Sequence, residues 1–282
     1  MATQTPQPPP TLPPVRACIF DLDGLLINSE DIYTDIYNNI LHAYGRPSLP
    51  WSIKAKLQST GRSGFLQLLD WAQLPISGDE FLAQITAQYD LFRRSKPLPG
   101  VPELLSTLST KTSPKVHIAI ASSSTARAFG IKTSHLPSIT KHVSEECRVF
   151  GDDPQMSDAK KKPMPDIFLL ALGRINKSLG PGEREVKAEE CLVFEDSVAG
   201  VEAGRRAGMR VVWCPHVGLR GLLRGREEVV LEGRSAGVEE GKGEMGGKGG
   251  EGEKRLWSRD GWAEMRMSLE GFDYEHYGIC LE

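Results

Sequence analysis

The sequence has no run of about eighteen apolar residues, so nothing in it reads as a transmembrane helix. It has no excess of basic charge. Its formal net charge of −3 argues against the basic patch that nucleic-acid binding needs. Its first residues lack a basic stretch followed by an apolar core, so they are not expected to act as a secretory signal. Cysteine is sparse: Cys18, Cys147, Cys191, Cys214 and Cys280 form no Cys-x-x-Cys pair. Such dispersal fits reduced thiols rather than a disulfide framework or a zinc site. The six histidines show no metal-ligand spacing and receive no role. These absences leave an expected cytoplasmic, water-soluble monomer with neither nucleic acid nor membrane as partner. Its 282 residues, 39% of them apolar, suffice for one large domain or a core with an insert.

What is present centres on Ile19-Phe20-Asp21-Leu22-Asp23-Gly24. The apolar run from Val15 to Phe20 predicts a buried strand, and Gly24 suits the turn that ends it. Residues two apart on a strand share a face, so Asp21 and Asp23 project together from its end. Two such carboxylates repel and are costly to desolvate unless a cation joins them. A turn with two solvated acids is the plainer alternative for this stretch taken alone.

Before it, residues 1–14 carry six prolines and read as a disordered leader. After it, Ser29 is expected to cap a helix whose apolar positions run from Ile32 to Tyr44, with Gly45 and Pro47 ending it. Helices are also expected near 51–58, 62–73 and 79–93, so 30–95 forms a helical cap unit. Residues 95–100, with two prolines and a glycine, make the hinge back.

Strand and helix then alternate. Strands are expected over Val116–Ala121, Cys147–Phe150, Cys191–Phe194 and Arg210–Cys214, the last clear one. Helices are expected from Pro102 to Thr110, over 124–134, from Pro165, and from a Ser197 cap to Gly208. This predicts an α/β, doubly wound parallel-sheet (Rossmann-like) core built from 15–29 and 96–231. In such sheets ligands bind at the carboxyl ends of the strands. Polar clusters fall there repeatedly: Asp21/Asp23, Ser122–Ser124, Gly151–Asp153 and Glu195/Asp196. Residues 232–255 hold nine glycines, six glutamates and five basic residues, a low-complexity insertion. Residues 256–282 regain aromatics and are expected to dock on the core.

If the strand ends converge, Asp21, Asp196 and Glu195 make an all-oxygen site suited to Mg2+. Asp21 is then a candidate nucleophile and Asp23 a candidate proton carrier. Lys162 would add positive charge to a transferring phosphoryl group, and Ser122 with nearby backbone N–H groups, Ser123 among them, would bind its oxygens. Each cluster alone also has a structural reading: a cap, a turn or a solvated lysine run.

Taken in order, the motifs Asp21-Leu22-Asp23-Gly24, Ser122 after an apolar strand, Lys162-Pro163-Met164-Pro165-Asp166-Ile167-Phe168 and Val193 to Val201 resemble those of the haloacid-dehalogenase superfamily of capped phosphatases. The likeness is closest to pseudouridine-5′-phosphatase-like members and spans about residues 15–220. It implies Asp21 as nucleophile and Asp23 as general acid/base. It implies Mg2+ held by Asp21, the Asp23 carbonyl and Asp196 with Glu195 nearby, and phosphate bound by Ser122 and Lys162. Lys161 and the longer loop from Gln155 to Lys161 depart from the pattern. The expected partner is a small phosphorylated metabolite, with pseudouridine 5′-phosphate one candidate. The polar break from Gln58 to Ser63 is placed to face it, with Gln58 and Arg62 as substrate contacts. A sugar-phosphate phosphatase, a β-phosphoglucomutase-like isomerase and a non-catalytic protein of the same fold remain alternatives.

Overall fold

The computed structural model describes residues 12–58, 62–156, 160–234 and 255–282, apart from the side chains of Arg62, Ser63 and Arg255. Most of the proline-rich leader, part of the break after Gln58, part of the loop before Lys162 and most of the glycine–glutamate stretch lie outside the described residues. Among the described residues no helix is long and apolar enough to cross a membrane.

The described strands are β1 (Ala17–Phe20), β2 (His117–Ser122), β3 (Arg148–Phe150), β4 (Cys191–Glu195), β5 (Arg210–Trp213), β6 (Arg255–Trp257) and β7 (Ala263–Arg266). They form one sheet in the order β3-β2-β1-β4-β5-β7-β6. All pairings are parallel except β6 with β7. Strand β1 lies centrally, with Ala17 opposite both His117 and Cys191. Its four residues are all buried, which explains the unbroken apolar run. Phe20 stacks on Phe194 of the neighbouring strand, ring centroids 4.4 Å apart.

Helices α1 (Ser29–Ala43), α2 (Trp51–Lys54), α3 (Arg62–Ala72) and α4 (Gly78–Thr86), with a 3-10 run at Tyr89–Arg94, lie between β1 and β2 in sequence. They share their own apolar cluster, which includes Ile36, Leu41, Leu68, Phe81 and Phe92. Burying each such side chain contributes about 1.5–3 kcal/mol. Around the sheet lie α5 (Val101–Thr110), α6 (Ala126–Thr133), α7 (Pro137–Thr140), α8 (Asp166–Lys177), α9 (Val198–Arg206), α10 (Val217–Leu222) and α11 (Glu227–Leu231). Helix α8 packs on β1, β2 and β3, α9 on β4 and β5, and α5 on β2.

Several expectations need correction. Ser29 does not cap α1: Asn28 holds that position, and the Ser29 hydroxyl turns back to accept from the Gly24 N–H. Asn28 in turn accepts from the Lys96 N–H at 2.7 Å, so the two cap-type residues fasten the connections in and out of the helical unit. The helix expected at 51–58 is only α2, and that at 79–93 divides into α4 and the 3-10 run. Arg210–Trp213 is not the last strand, because β6 and β7 extend the sheet beyond it. Strand β7 carries buried Glu264 and Arg266 within its four residues, so its sequence shows no apolar run. Their charges are met locally: Tyr277 donates to Glu264 at 2.7 Å and Arg266 lies 3.7 Å from the same carboxylate.

Candidate active site

The carboxyl ends of β1, β2 and β4 meet beneath the helical unit. Asp21 continues β1 by one residue, its N–H donating to the Phe194 carbonyl at 3.0 Å. Gly24 follows with φ of +80°, where a side chain is strained. A Cβ there would also lie 2.3 Å from an Asp196 carboxylate oxygen, so the turn closes against Asp196 only with glycine.

Glu195 ends β4 and is fully buried. Its Oε2 accepts from the N–H groups of Asp196 and Ser197 and from the Ser197 hydroxyl, at 3.0–3.1 Å. Ser197 caps α9 by accepting from the Gly200 N–H. A Cβ on Gly200 would stand 1.9 Å from the Glu195 carboxyl carbon, so a bare glycine makes room for this buried acid.

Lys162 reaches in from the loop before α8. Its Nζ donates to Asp21 Oδ1 and Glu195 Oε1, each at 2.5 Å, and to the Ala121 carbonyl at 3.2 Å. All three ammonium hydrogens are thus used. Burial lowers the lysine's proton affinity, but Asp21 and Glu195 overcome that and hold it above its ordinary range. Asp21 is pushed up from 3.8 to about 7, first by burial and then by repulsion from Glu195 and Asp23, with Lys162 opposing. Asp196 is raised well above the carboxylate range by burial, then by Glu195, Glu30 and Asp21.

Asp23 differs. Burial raises it, but Lys132 with hydrogen bonds from Lys132, Ser124 and Ser29 leaves it below its ordinary value. Lys132 Nζ lies 2.5 Å from Asp23 Oδ1, and the Ser124 hydroxyl donates to Oδ2 at 2.7 Å.

Asp21, Asp23 and Asp196 line a cavity of about 340 Å³. Its other walls come from Ser123–Thr125 below and from Tyr33, Tyr37, Phe65 and Tyr89 of the helical unit above. Gln58 lines it as well and donates to Asp196 Oδ2 at 3.0 Å. Ser122 is fully buried, with its Oγ accepting from the Ser124 N–H at 3.1 Å, so Ser123 and Ser124 form the exposed edge there. The Arg62 side chain lies outside the described residues.

Among the described residues no group of three or more His, Cys, Asp or Glu side chains is placed to hold a metal ion by itself. The donors present are all oxygen, and burial with the neighbouring acids raises the Asp196 and Asp21 carboxyls further than Lys162 alone offsets. That set fits a hard dication which takes few carboxylates and keeps other oxygens as ligands.

The sequence reading missed Lys132, Lys54 and Glu30. Lys54 is buried beside the cavity, 3.0 Å from Glu30 Oε2. Lys132 sits in the buried stripe Ala128, Phe129, Lys132, Thr133 of α6. A lysine at an apolar register was the available signal.

This arrangement agrees with likeness to known proteins. The sequence model of haloacid dehalogenase-like hydrolases matches residues 15–208. A probable pseudouridine-5′-phosphatase of Saccharomyces cerevisiae is 37% identical over 222 residues, covering 78% of this chain and 90% of that protein. The mitochondrial (DL)-glycerol-3-phosphatase 1 of Arabidopsis thaliana is 36% identical over 204 residues, covering 70% of this chain and 63% of that one. A solved structure of a putative β-phosphoglucomutase from Thermotoga maritima superposes with a TM-score of 0.53 at 29% identity, over 72% of this chain and 86% of the other. With the motif residues gathered at one sheet edge and the match running through them, the chain belongs to the haloacid dehalogenase-like hydrolase family.

Proposed function

We propose that this chain is a Mg2+-dependent phosphomonoesterase that hydrolyses a small phosphorylated metabolite through an aspartyl-phosphate on Asp21. The observation that carries this reading is the Asp21 carboxylate itself. It stands at a central strand end, held by Lys162 and faced by Asp196, on the floor of a closed-over cavity. The naming of relatives as phosphatases supports it.

Asp21, the Asp23 carbonyl and Asp196 would hold the ion, with Glu195 behind them. Bound there, Mg2+ supplies positive charge between the carboxylates and the incoming phosphate. Lys162 fixes one Asp21 oxygen and leaves the other to attack phosphorus. Asp23, which Lys132 and Ser124 hold below its ordinary value in the substrate-free chain, has to take up a proton as substrate binds, and it passes that proton to the leaving oxygen as the ester P–O bond breaks. Water then attacks the phosphoryl group and gives its proton to Asp23. The bond to Asp21 breaks and phosphate leaves. Ser123 and Ser124 at the cavity edge would steady the phosphoryl oxygens, while Ser122, buried beneath them, holds the Ser124 N–H and Lys162 holds Asp21 from behind.

The aromatic upper wall, Tyr33, Tyr37, Phe65 and Tyr89, suits a substrate with a ring beside its phosphate. Pseudouridine 5′-phosphate is the first to test. The experiment is a phosphate-release screen over pseudouridine 5′-phosphate, other nucleotides, glycerol phosphate and sugar phosphates with Mg2+, using Asp21→Asn as blank. Release lost in the blank is the expected result. Conversion of a hexose phosphate to its isomer without release would favour a mutase instead.

A further inference from the structure

Lys132 belongs to none of the sequence motifs, yet it is fully buried beside the cavity. A buried ammonium costs several kcal/mol unless it is paired and hydrogen-bonded. Here it donates to Asp23 Oδ1 at 2.5 Å, Ser124 Oγ at 2.8 Å and Tyr33 Oη at 3.0 Å. It also lies 4.8 Å from the ring centres of both Tyr33 and Phe92. Ser124 completes the arrangement by donating to Asp23 Oδ2. Both oxygens of Asp23 are therefore held by groups of the core, from α6 and the turn before it. Tyr33 and Phe92 come from the helical unit above. The two halves of the molecule share this one ammonium group. The same helix is tied to the connection between them, since the Ser95 hydroxyl donates to the Lys132 carbonyl at 2.6 Å.

A purely structural role would be served better by an apolar side chain in this stripe, because replacing a buried charge by packed hydrocarbon is often neutral or stabilising. Asp23 and Ser124 line the cavity, whereas Lys132 does not. Lys132 thus touches the carboxylate and not the substrate.

We propose that Lys132 is a positioning residue of the phosphatase reaction: it fixes the point at which Asp23 delivers a proton and makes that placement depend on the helical cap being seated through Tyr33 and Phe92. This rests on the proposed function, which takes Asp23 as the proton carrier. The chemistry offers a readout that general loosening of the fold does not move. An alkyl leaving group needs the proton, whereas p-nitrophenolate leaves without it.

The test compares kcat/KM for the best alkyl monoester of the release screen with that for p-nitrophenyl phosphate, since kcat/KM reports the step in which the ester bond breaks. Lys132→Met is expected to lose about 100-fold on the alkyl ester, within the range for general acid–base catalysis, and less than about fivefold on the aryl ester. Tyr33→Phe, which removes only the cap's hydroxyl, is expected to show a smaller loss with the same bias. Equal losses on both esters in a folded Lys132→Met would overturn the proposal. If that variant does not fold, Ser124→Ala, which keeps the lysine, carries the test. The same bias is expected, and an unbiased loss or none overturns it. Asp21→Asn separates the two ideas. Activity retained there removes the proposed function, whereas an inactive Asp21→Asn beside an unbiased Lys132→Met removes only the role of Lys132.

Discussion

Gln58 of the helical unit donates a hydrogen bond to Asp196 of the core, 3.0 Å from amide nitrogen to carboxylate oxygen. The residues are 138 apart in sequence, and this is a direct polar link across the cavity. Asp196 is also crowded by Glu195, Glu30 and Asp21, more than Lys162 offsets, so the amide adds to the little relief its charge receives. Gln58→Ala is expected to lower kcat/KM by about 10- to 100-fold, the worth of one hydrogen bond to a charged group, while the melting temperature shifts by only a few degrees. Paired kinetics and a thermal melt check this; a large drop in melting temperature would show that the contact serves the fold instead.

Asp21→Asn should remove phosphate release by at least about a thousandfold, since an amide does not form the acyl phosphate. Circular dichroism should show an intact fold, because the amide keeps the shape of the carboxyl and sheds its buried charge.

The Asp21 carboxyl also predicts how stability varies with pH in Mg2+-free buffer. Its folded value, about 7, lies above the unfolded 3.8. Below about pH 4 the acid is protonated in both states and costs nothing. As pH rises towards 7 the unfolded chain ionises first, so folding loses stability until the folded carboxyl ionises too. Asp196 shifts in the same direction. The melting temperature of Asp21→Asn relative to the parent should therefore climb between about pH 4 and pH 7 and then level off. Adding Mg2+ should raise the parent's melting temperature more at pH 7.5 than at pH 5. Scanning fluorimetry across that range measures both, and a flat difference contradicts the assignment.

Lys162→Met leaves Asp21 and Glu195 buried without their shared cation. The expected loss of stability at neutral pH is about 3–5 kcal/mol, the usual consequence of orphaning a buried charge. Denaturant titration reads it directly. Glu195→Gln removes one of the two acids and should be milder.

The parts of this site visible in the sequence are those fixed by the chain's own local order. Asp21 and Asp23 follow an apolar strand, Glu195-Asp196 follow another, and Ser197 caps the next helix. Each announces itself within a few residues. Lys132 does not, because its partners Asp23 and Tyr33 are 109 and 99 residues away and only the fold assembles them. Ser29 misled for a related reason. Its hydroxyl could cap a helix or close the preceding turn, and the tertiary setting chose the turn. Strand β7 was hidden by Glu264 and Arg266, charges that pair with each other and with Tyr277, so no apolar run marks it.

Strand β1 lies between β2 and β4, pairing Ala17 with His117 on one side and Cys191 on the other. Nothing adjacent in sequence pairs with it. Loop-closure entropy over such separations must be met before the pairing brings any return, which makes folding of this sheet slow relative to a helical protein of equal size. On the ribosome, β1 waits through the whole helical unit for one neighbour and through most of the core for the other. The floor of the cavity, which needs Glu195 and Asp196 beside Asp21, cannot exist in the nascent chain until the stretch through Ser197 has been released. Assembly of the candidate site and enclosure of β1 between its two neighbours are therefore one late event in the protein's synthesis.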